Sequence, residues 1–287
     1  MLYEAAEAAS LGGMTVPLDI SRLQRSRGEG RLSLRRDAAG QTRLADLHQS
    51  GSSKIRLPKA YPPAPLTAVV LNTSGGLTGG DRYTLAVDAG AGTDAVVTTQ
   101  ACEKVYRAAD PQTATVSTSI RVGDGATLAW LPQETILFDG GRIARSLEVD
   151  LEGEAAFIAV ESYILGRTAM NETVRHGTVR DRWRIRRDGR LVHADALTVD
   201  DAFARASAGA ALLAGARAFA TLLATGPGAE ARLASVRAAV GETGGASAFD
   251  GKLVARIAAT DGLDLRTRLV EAVAALGGRP APSIWHI

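Results

Sequence analysis

The chain has 287 residues, 46% hydrophobic and 22% charged, which is enough apolar material for a sizeable core. Lys and Arg total 33 against 31 Asp and Glu, and the net charge of +2 excludes the strongly basic field of a general nucleic-acid binder. The single cysteine, Cys102, excludes an internal disulfide and suits a reducing cytosol.

Residues 1–27 carry little pattern and read as an extension ahead of a single domain over 28–287. Met1 to Ser10 is acidic and alanine-rich, without a basic lead into an apolar core, so it does not read as a signal peptide. From Gly30 the dominant period is two: Leu32 and Leu34 alternate with Arg31, Ser33 and Arg35 before a turn over 37–40. The alternation returns at 85–87, 95–99, 120–122, 128–130 and 147–151, between glycine turns at 88–93 and 123–125. Trp183 and Ile185 alternate with arginines up to Asp188-Gly189, a type I′ hairpin signal, and Leu191 and His193 resume beyond it. Short strands punctuated by glycine predict a large, mostly β, antiparallel structure.

The alanine-rich stretch 202–225 is cut by Gly209, Gly215 and Gly226-Pro227, and a strand is expected at about 217–223. Helical spacing comes late. Leu233, Val236 and Val240 share one face ahead of Gly241. Leu265, Leu269, Val273 and Leu276 share another, with Asp261 or Asp264 as the cap and Gly277-Gly278 as the stop. The longest apolar run, 208–224, is broken by Arg217 and falls short of the roughly 18 residues of a membrane span. The reading is a soluble, cytoplasmic protein with neither membrane nor nucleic acid as partner.

The densest motif is Asn72-Thr-Ser-Gly-Gly-Leu-Thr-Gly-Gly-Asp81. It lacks the Gly-Lys-Ser/Thr ending of a phosphate loop, so it reads first as a tight strand-to-strand connection and second as a binding loop. Thr98-Thr-Gln-Ala-Cys-Glu-Lys-Val-Tyr-Arg107 reads as a strand with Cys102, Lys104 and Tyr106 on one face, and no nearby His activates the thiol. Trp130-Leu-Pro-Gln-Glu-Thr-Ile-Leu-Phe-Asp-Gly-Gly141 sets Glu134 and Asp139 around an apolar centre; Glu161 and Glu172 add two more carboxylates. These read as a glycosidase acid–base pair, as oxygen ligands for a metal, or as counterions of Arg142, Arg145 or Arg167. His48, His176, His193 and His286 are scattered, without structural-zinc spacing. The arginines between 175 and 190 read as a solvated strand face or a surface for an acidic partner, since only Trp183 offers a base a stacking platform.

Taken together and in order, residues 72–81, 98–107 and 131–140 resemble the glycine loop, the Thr-Thr-Gln-x-x-Glu-Lys-x-Tyr-Arg strand and the Leu-Pro-Gln-Glu segment of the UreD/UreH family. Segments 166–172, 181–185 and 279–285 are similar as well, and the resemblance covers about 28–287. Cys102 stands where the family more often has a small residue such as alanine, and Asn171 where glycine is common. The resemblance implies a right-handed, β-helix-like, mostly antiparallel structure of stacked sheets with two late helices. It also implies a non-catalytic role in urease maturation, with UreF, the GTPase and nickel donor UreG, and apo-urease as partners.

No tightly bound cofactor is implied, only Ni²⁺ in transit through a wet internal passage. Asp139, Glu172, Glu134 and Glu161 are the residues expected to line it, the first two foremost because flexible backbone adjoins them. Oxygen ligands suit a conduit, since imidazole or thiolate coordination would trap nickel. The competing reading is a β-rich carbohydrate hydrolase using Glu134, Asp139 or Glu161, against which stands an aromatic content of 5%. Two expectations complete the reading: the glycine loop is structural, and the C-terminal run 263–287 leaves an apolar surface open for UreF.

Overall fold

The computed structural model describes residues 24–59, 64–167, 170, 172–200, 209 and 213–286. Most of the N-terminal extension, Asn171 and most of the alanine-rich stretch before 213 lie outside the described residues. The first strands are β1 (Arg27–Arg36), β2 (Thr42–Gly51), β3 (Ser53–Arg56), β4 (Leu66–Asn72), β5 (Arg82–Ala89) and β6 (Asp94–Thr99). Then come β7 (Glu103–Val105), β8 (Ala114–Val122), β9 (Thr127–Leu131), β10 (Thr135–Leu137), β11 (Arg142–Leu151) and β12 (Ala156–Leu165). The chain continues through β13 (Thr178–Arg187), β14 (Arg190–Asp200), β15 (Ala218–Thr225), α1 (Leu233–Val240), β16 (Gly244–Phe249), β17 (Lys252–Ala259) and α2 (Gly262–Gly277).

Strands β1, β5, β8, β11 and β13 run parallel in one sheet, with β2 and β14 antiparallel at its two ends. Strands β4, β6, β9 and β12 are the parallel centre of a second sheet, flanked by antiparallel β3 on one side and β15, β17 and β16 on the other. From β4 to β13 the chain passes repeatedly from one sheet to the other, so the sheets are two walls of a β-solenoid of about four turns. The mostly β content, the stacked, helix-like arrangement and the two late helices are as expected. Antiparallel pairing, by contrast, is confined to the flanks.

The reason lies in the glycine turns. Those at 90–93 and 123–126 send the chain across to the facing sheet instead of back along its neighbour, and successive turns stack through Gly90 N–H to Leu34 O and Gly123 N–H to Ala89 O. True two-residue hairpins occur at Asp188-Gly189 (φ 50° and 77°) and Asp250-Gly251 (φ 50° and 72°), the positive pair that a type I′ turn demands.

Because the parallel strands are in register, each inward side chain rests on its counterpart one coil away. Leu32, Val87, Ile120, Val149 and Ile185 form one such ladder, and Leu34, Ala89, Val122 and Leu151 another. They face Ala68, Val97, Leu128, Trp130, Phe157 and Leu223 of the second sheet across a closed core. The second sheet is also covered on its outer face, which is why β6, β9 and β12 are nearly continuous apolar runs. There α1 and α2 bury Val236, Val240, Leu265, Leu269, Val273 and Leu276. Asp261 caps α2 by accepting from Leu263 N (2.8 Å) and Asp264 N (2.9 Å), and Gly278 (φ 65°) ends it.

The C-terminal tail departs from the expected open apolar surface. Trp285 is 4% exposed, packed on the second sheet with its indole N–H donating to Thr98 Oγ1 at 3.0 Å. Of the large apolar residues in this run, Leu263 stays exposed, at 78%.

While the turns at one end of the coils are short, the motif-bearing segments 72–81, 99–113, 131–142, 165–167 and 172–178 gather at the other. There β7, β10 and β12 add a short parallel ladder. The glycine loop is a close approach, as the structural reading requires. A Cβ on Gly76 (φ 149°) would strike the Tyr106 ring and lie 2.8 Å from Lys104 O; one on Gly79 would lie 2.5 Å from Gln112 O. Gly76→Val and Gly79→Val are therefore expected to cost at least about 1–3 kcal/mol each. Soluble yield should fall even beside partner proteins; wild-type yield with either valine would show that the loop tolerates a side chain.

Candidate functional site

One inward ladder is polar. Gly28, Tyr83, Val116, Arg145 and Asp181 occupy the same rung position on β1, β5, β8, β11 and β13, two residues before the apolar rung that ends in Leu147 and Trp183. The facing wall supplies Trp130 from β9, Thr135 from β10 and Glu161 from β12. Between them lies a cavity of about 300 Å³ whose lining includes Asn72, Glu103, Gln133, Thr135, Arg145 and Glu161. Beyond Glu161 a second, pinched pocket of about 10 Å³, near the minimum for one water, is lined by Glu161, Tyr163, Asp181 and Asp195. Glu161 borders both spaces.

Glu161 is 4% exposed, and both its oxygens are engaged: Trp130 Nε1 donates to Oε1 at 3.0 Å and Arg145 Nη1 to Oε2. Arg145 also donates to Thr135 Oγ1 at 2.8 Å and lies 5.5 Å from the Tyr163 ring centroid. Burial pushes the Glu161 carboxyl up to about 7, against the pull of Arg145. Asp181 is 6% exposed and also raised by burial; its Oδ2 accepts from Tyr163 OH at 2.8 Å while Oδ1 has no hydrogen-bond partner. At the cavity's other side Glu103 accepts from Asn72 Nδ2 at 3.1 and 3.2 Å and is likewise raised by burial.

The four carboxylates singled out in the sequence do not meet in one place. Glu134, 1% exposed, lies between the second sheet and α2, clamped by Arg266 through Nε at 2.7 Å and through Nη2. Arg266 also donates to Gln133 Oε1 and Trp285 O, both at 2.9 Å, so the Leu-Pro-Gln-Glu segment is a joint between the sheet and the C-terminal helix. Cys102 Sγ lies 3.4 Å from Glu134 Oε2, and burial together with that carboxylate pushes the thiol up to about 11, away from nucleophilic use.

Asp139 lies apart, beside an open cleft of about 430 Å³, accepting from Arg175 N (2.8 Å) and His176 N (2.9 Å) and pairing with Arg107. Glu172 folds back on Arg167 at 2.9 Å. The two touch only through Asp139 N–H to Glu172 Oε1 at 3.4 Å. Among the described residues no group of three or more His, Cys, Asp or Glu is arranged to hold a metal. The hydrolase reading loses its pair, since Glu134, Asp139 and Glu161 occupy three separate settings, each committed to an arginine. Arg180, Arg182, Arg184 and Arg186 face outward on β13, with Arg180 on Asp200 and Arg186 on Glu148.

Sequence reasoning missed Arg145, Asp181 and Glu103 as interior groups. A signal was present: Arg145 and Asp181 share the parity of Leu147 and Trp183, so they had to point inward with them.

The fold and cavity define a β-solenoid whose candidate site lies inside the coil, not on its surface. The chain belongs to the UreD urease accessory protein family, whose model matches residues 26–286. It is 52% identical over 276 residues to the urease accessory protein UreD of Rhizobium leguminosarum bv. viciae, covering 96% of this chain and 100% of that one. The UreD proteins of Agrobacterium fabrum and Mesorhizobium japonicum are 51% and 49% identical, over 93% and 87% of this chain and 93% and 90% of theirs. No helix among the described residues is long and apolar enough to cross a membrane.

Two measurements follow. Arg266→Ala strands a buried carboxylate and should cost about 3–5 kcal/mol, read as a lower Tm, while adding Glu134→Gln should recover part of it. If Arg266→Ala leaves Tm unchanged, the joint is not a stabilising one.

The second concerns pH. Arg167 holds Glu172 below the usual carboxylate range, and the amides of His176 and Arg175 outweigh burial to hold Asp139 below its ordinary 3.8. A depressed folded-state pKa gives stability that is present above the unfolded value and lost as pH falls through the folded one. The protection factors of the Arg175 and His176 amides should therefore fall as pH drops below 3.8 through the depressed value of Asp139, and Asp139→Ala should remove that fall. Protection factors that stay constant on acidification of the unsubstituted chain would contradict it.

Proposed function

We propose that the chain is a non-catalytic urease maturation factor that assembles with UreF and UreG on apo-urease and lets Ni²⁺ pass through its interior to the nascent active site. The relatives' name supports the urease part of this reading. The interior supports the passage. Its single most telling feature is Glu161, a buried carboxylate that borders both the main cavity and the pinched pocket beyond it. Oxygen donors spread along the interior, without a His/Cys cluster, offer a divalent ion places to pause and no place to be trapped.

Within this reading the four carboxylates divide. Glu161 is the station on the path, and Glu103 continues it on the side of the main cavity. Asp139 and Glu172 order the loops at the coil end, and Glu134 fastens α2.

The test is activation of apo-urease by the purified complex at limiting nickel. Glu161→Gln should leave the complex assembled and slow activation roughly tenfold, the equivalent of about 1.4 kcal/mol in a barrier. Asp139→Ala and Glu172→Ala should instead lower stability or complex yield first. Wild-type activation with Glu161→Gln removes the passage from the proposal and leaves the scaffold. A chain that fails to co-purify with UreF and UreG removes the scaffold.

A further inference from the structure

Arg145 lines the main cavity and is paired with Glu161, the carboxylate that borders both interior spaces. Any cation arriving at Glu161 finds both carboxylate oxygens taken, one by the neutral Trp130 indole and the other by the Arg145 guanidinium. The indole is a dipole that a cation can share the carboxylate with; the guanidinium is a like charge that must leave. Its side chain is 9% exposed, so it cannot leave into bulk water without opening the fold.

A second seat exists one coil away on the same rung. Asp181 is the register partner of Arg145 across β11 and β13, on the same inward parity, where adjacent strands are about 4.8 Å apart. Tyr163 fixes the carboxylate through Oδ2, and Oδ1 is buried with no partner. Trp183 also stabilises this carboxylate by hydrogen bonding, and the oxygen left over lies within the electrostatic reach of Arg145, where a buried acceptor calls for a donor.

We propose that Arg145 is the selectivity residue of the interior: its guanidinium holds Glu161 shut and moves onto Asp181 Oδ1 when a divalent cation takes Glu161. This rests on the passage reading given above. Charge favours a divalent ion over a monovalent one. The groups facing Arg145 are Glu161 and Tyr163 from β12, Asp181 from β13 and Glu103 from β7. When all three carboxylates are ionised, the one guanidinium leaves two negative charges, which a single divalent cation matches. Asp195, across the pinched pocket on β14, is already committed to Arg256 at 2.8 Å and does not compete. A monovalent ion has no charge advantage over the guanidinium it would have to displace, and lacks its directed N–H donors.

The test is a double-substitution cycle on the UreF- and UreG-bound chain, reading the rate of apo-urease activation at limiting nickel. Asp181→Asn keeps shape and the Tyr163 bond but removes the charged second seat, and should slow activation by about fivefold, within the coupling range of neighbouring groups. In an Arg145→Gln background the same substitution should change nothing, because no guanidinium remains to be reseated. Equal slowing by Asp181→Asn in both backgrounds overturns the gate. Wild-type activation with Glu161→Gln overturns the passage itself, a separate outcome.

Should Arg145→Gln fail to fold, diffraction from the unsubstituted complex soaked with cadmium decides. The gate requires cadmium on Glu161 and the guanidinium at about 3 Å from Asp181 Oδ1. A guanidinium still on Glu161, with cadmium bound elsewhere, overturns it.

Discussion

Parallel, in-register stacking is the constraint on which the rest of this structure depends. In such a coil each inward residue is held against the residue at the same position one turn away, so any choice is felt on both sides. Apolar rungs satisfy this easily with Leu, Val and Ile. A charged rung cannot repeat itself, because like charges at strand spacing repel in a medium of low polarity. The polar rung accordingly changes character at each step, from glycine to tyrosine, valine, arginine and aspartate. The facing wall then has to supply what the rung leaves unmatched, and Glu161 does so.

That constraint also separates the two kinds of polar motif in the chain. The glycine loop, Gln133-Glu134 and Asp139 with Glu172 all serve the coil end at which long loops meet, by close backbone approach, by capping amides and by fastening α2. None of them needs a ligand to explain its contacts. The interior group built on Arg145, Glu161 and Asp181 is different, since it leaves one buried oxygen unmatched and encloses space.

Much of the fold was legible. Period-two runs placed the strands from Leu32 to Leu151, the helical faces at 233–240 and 265–276 were read with their caps, and Asp188-Gly189 was read as the hairpin it is. Strand direction was not, because alternation reports which face is buried and says nothing about which strand lies alongside. The site was legible only in part. Glu161 was singled out, but it was grouped with three carboxylates that lie near flexible or motif-rich sequence, and nearness along the chain is a poor guide in a solenoid. Residues 145, 161 and 181 are brought together by winding alone. The tail was misjudged for a related reason: the apolar residues at its end read as a free surface, whereas Trp285 fills a place on a sheet built far earlier in the chain.

The clamp between Glu134 and Arg266 spans 132 residues of sequence. A ribosome adding roughly 5–20 residues per second takes on the order of ten seconds to supply the arginine after the glutamate has emerged. Until then that carboxylate has no guanidinium to accompany it into the interior, and the outer face of the second sheet has no helix over it. The coils can wind in order of synthesis, but the face beneath α2 stays wet until that helix is made. A segment synthesised well after the parallel strands is thus the one that seals their sheet.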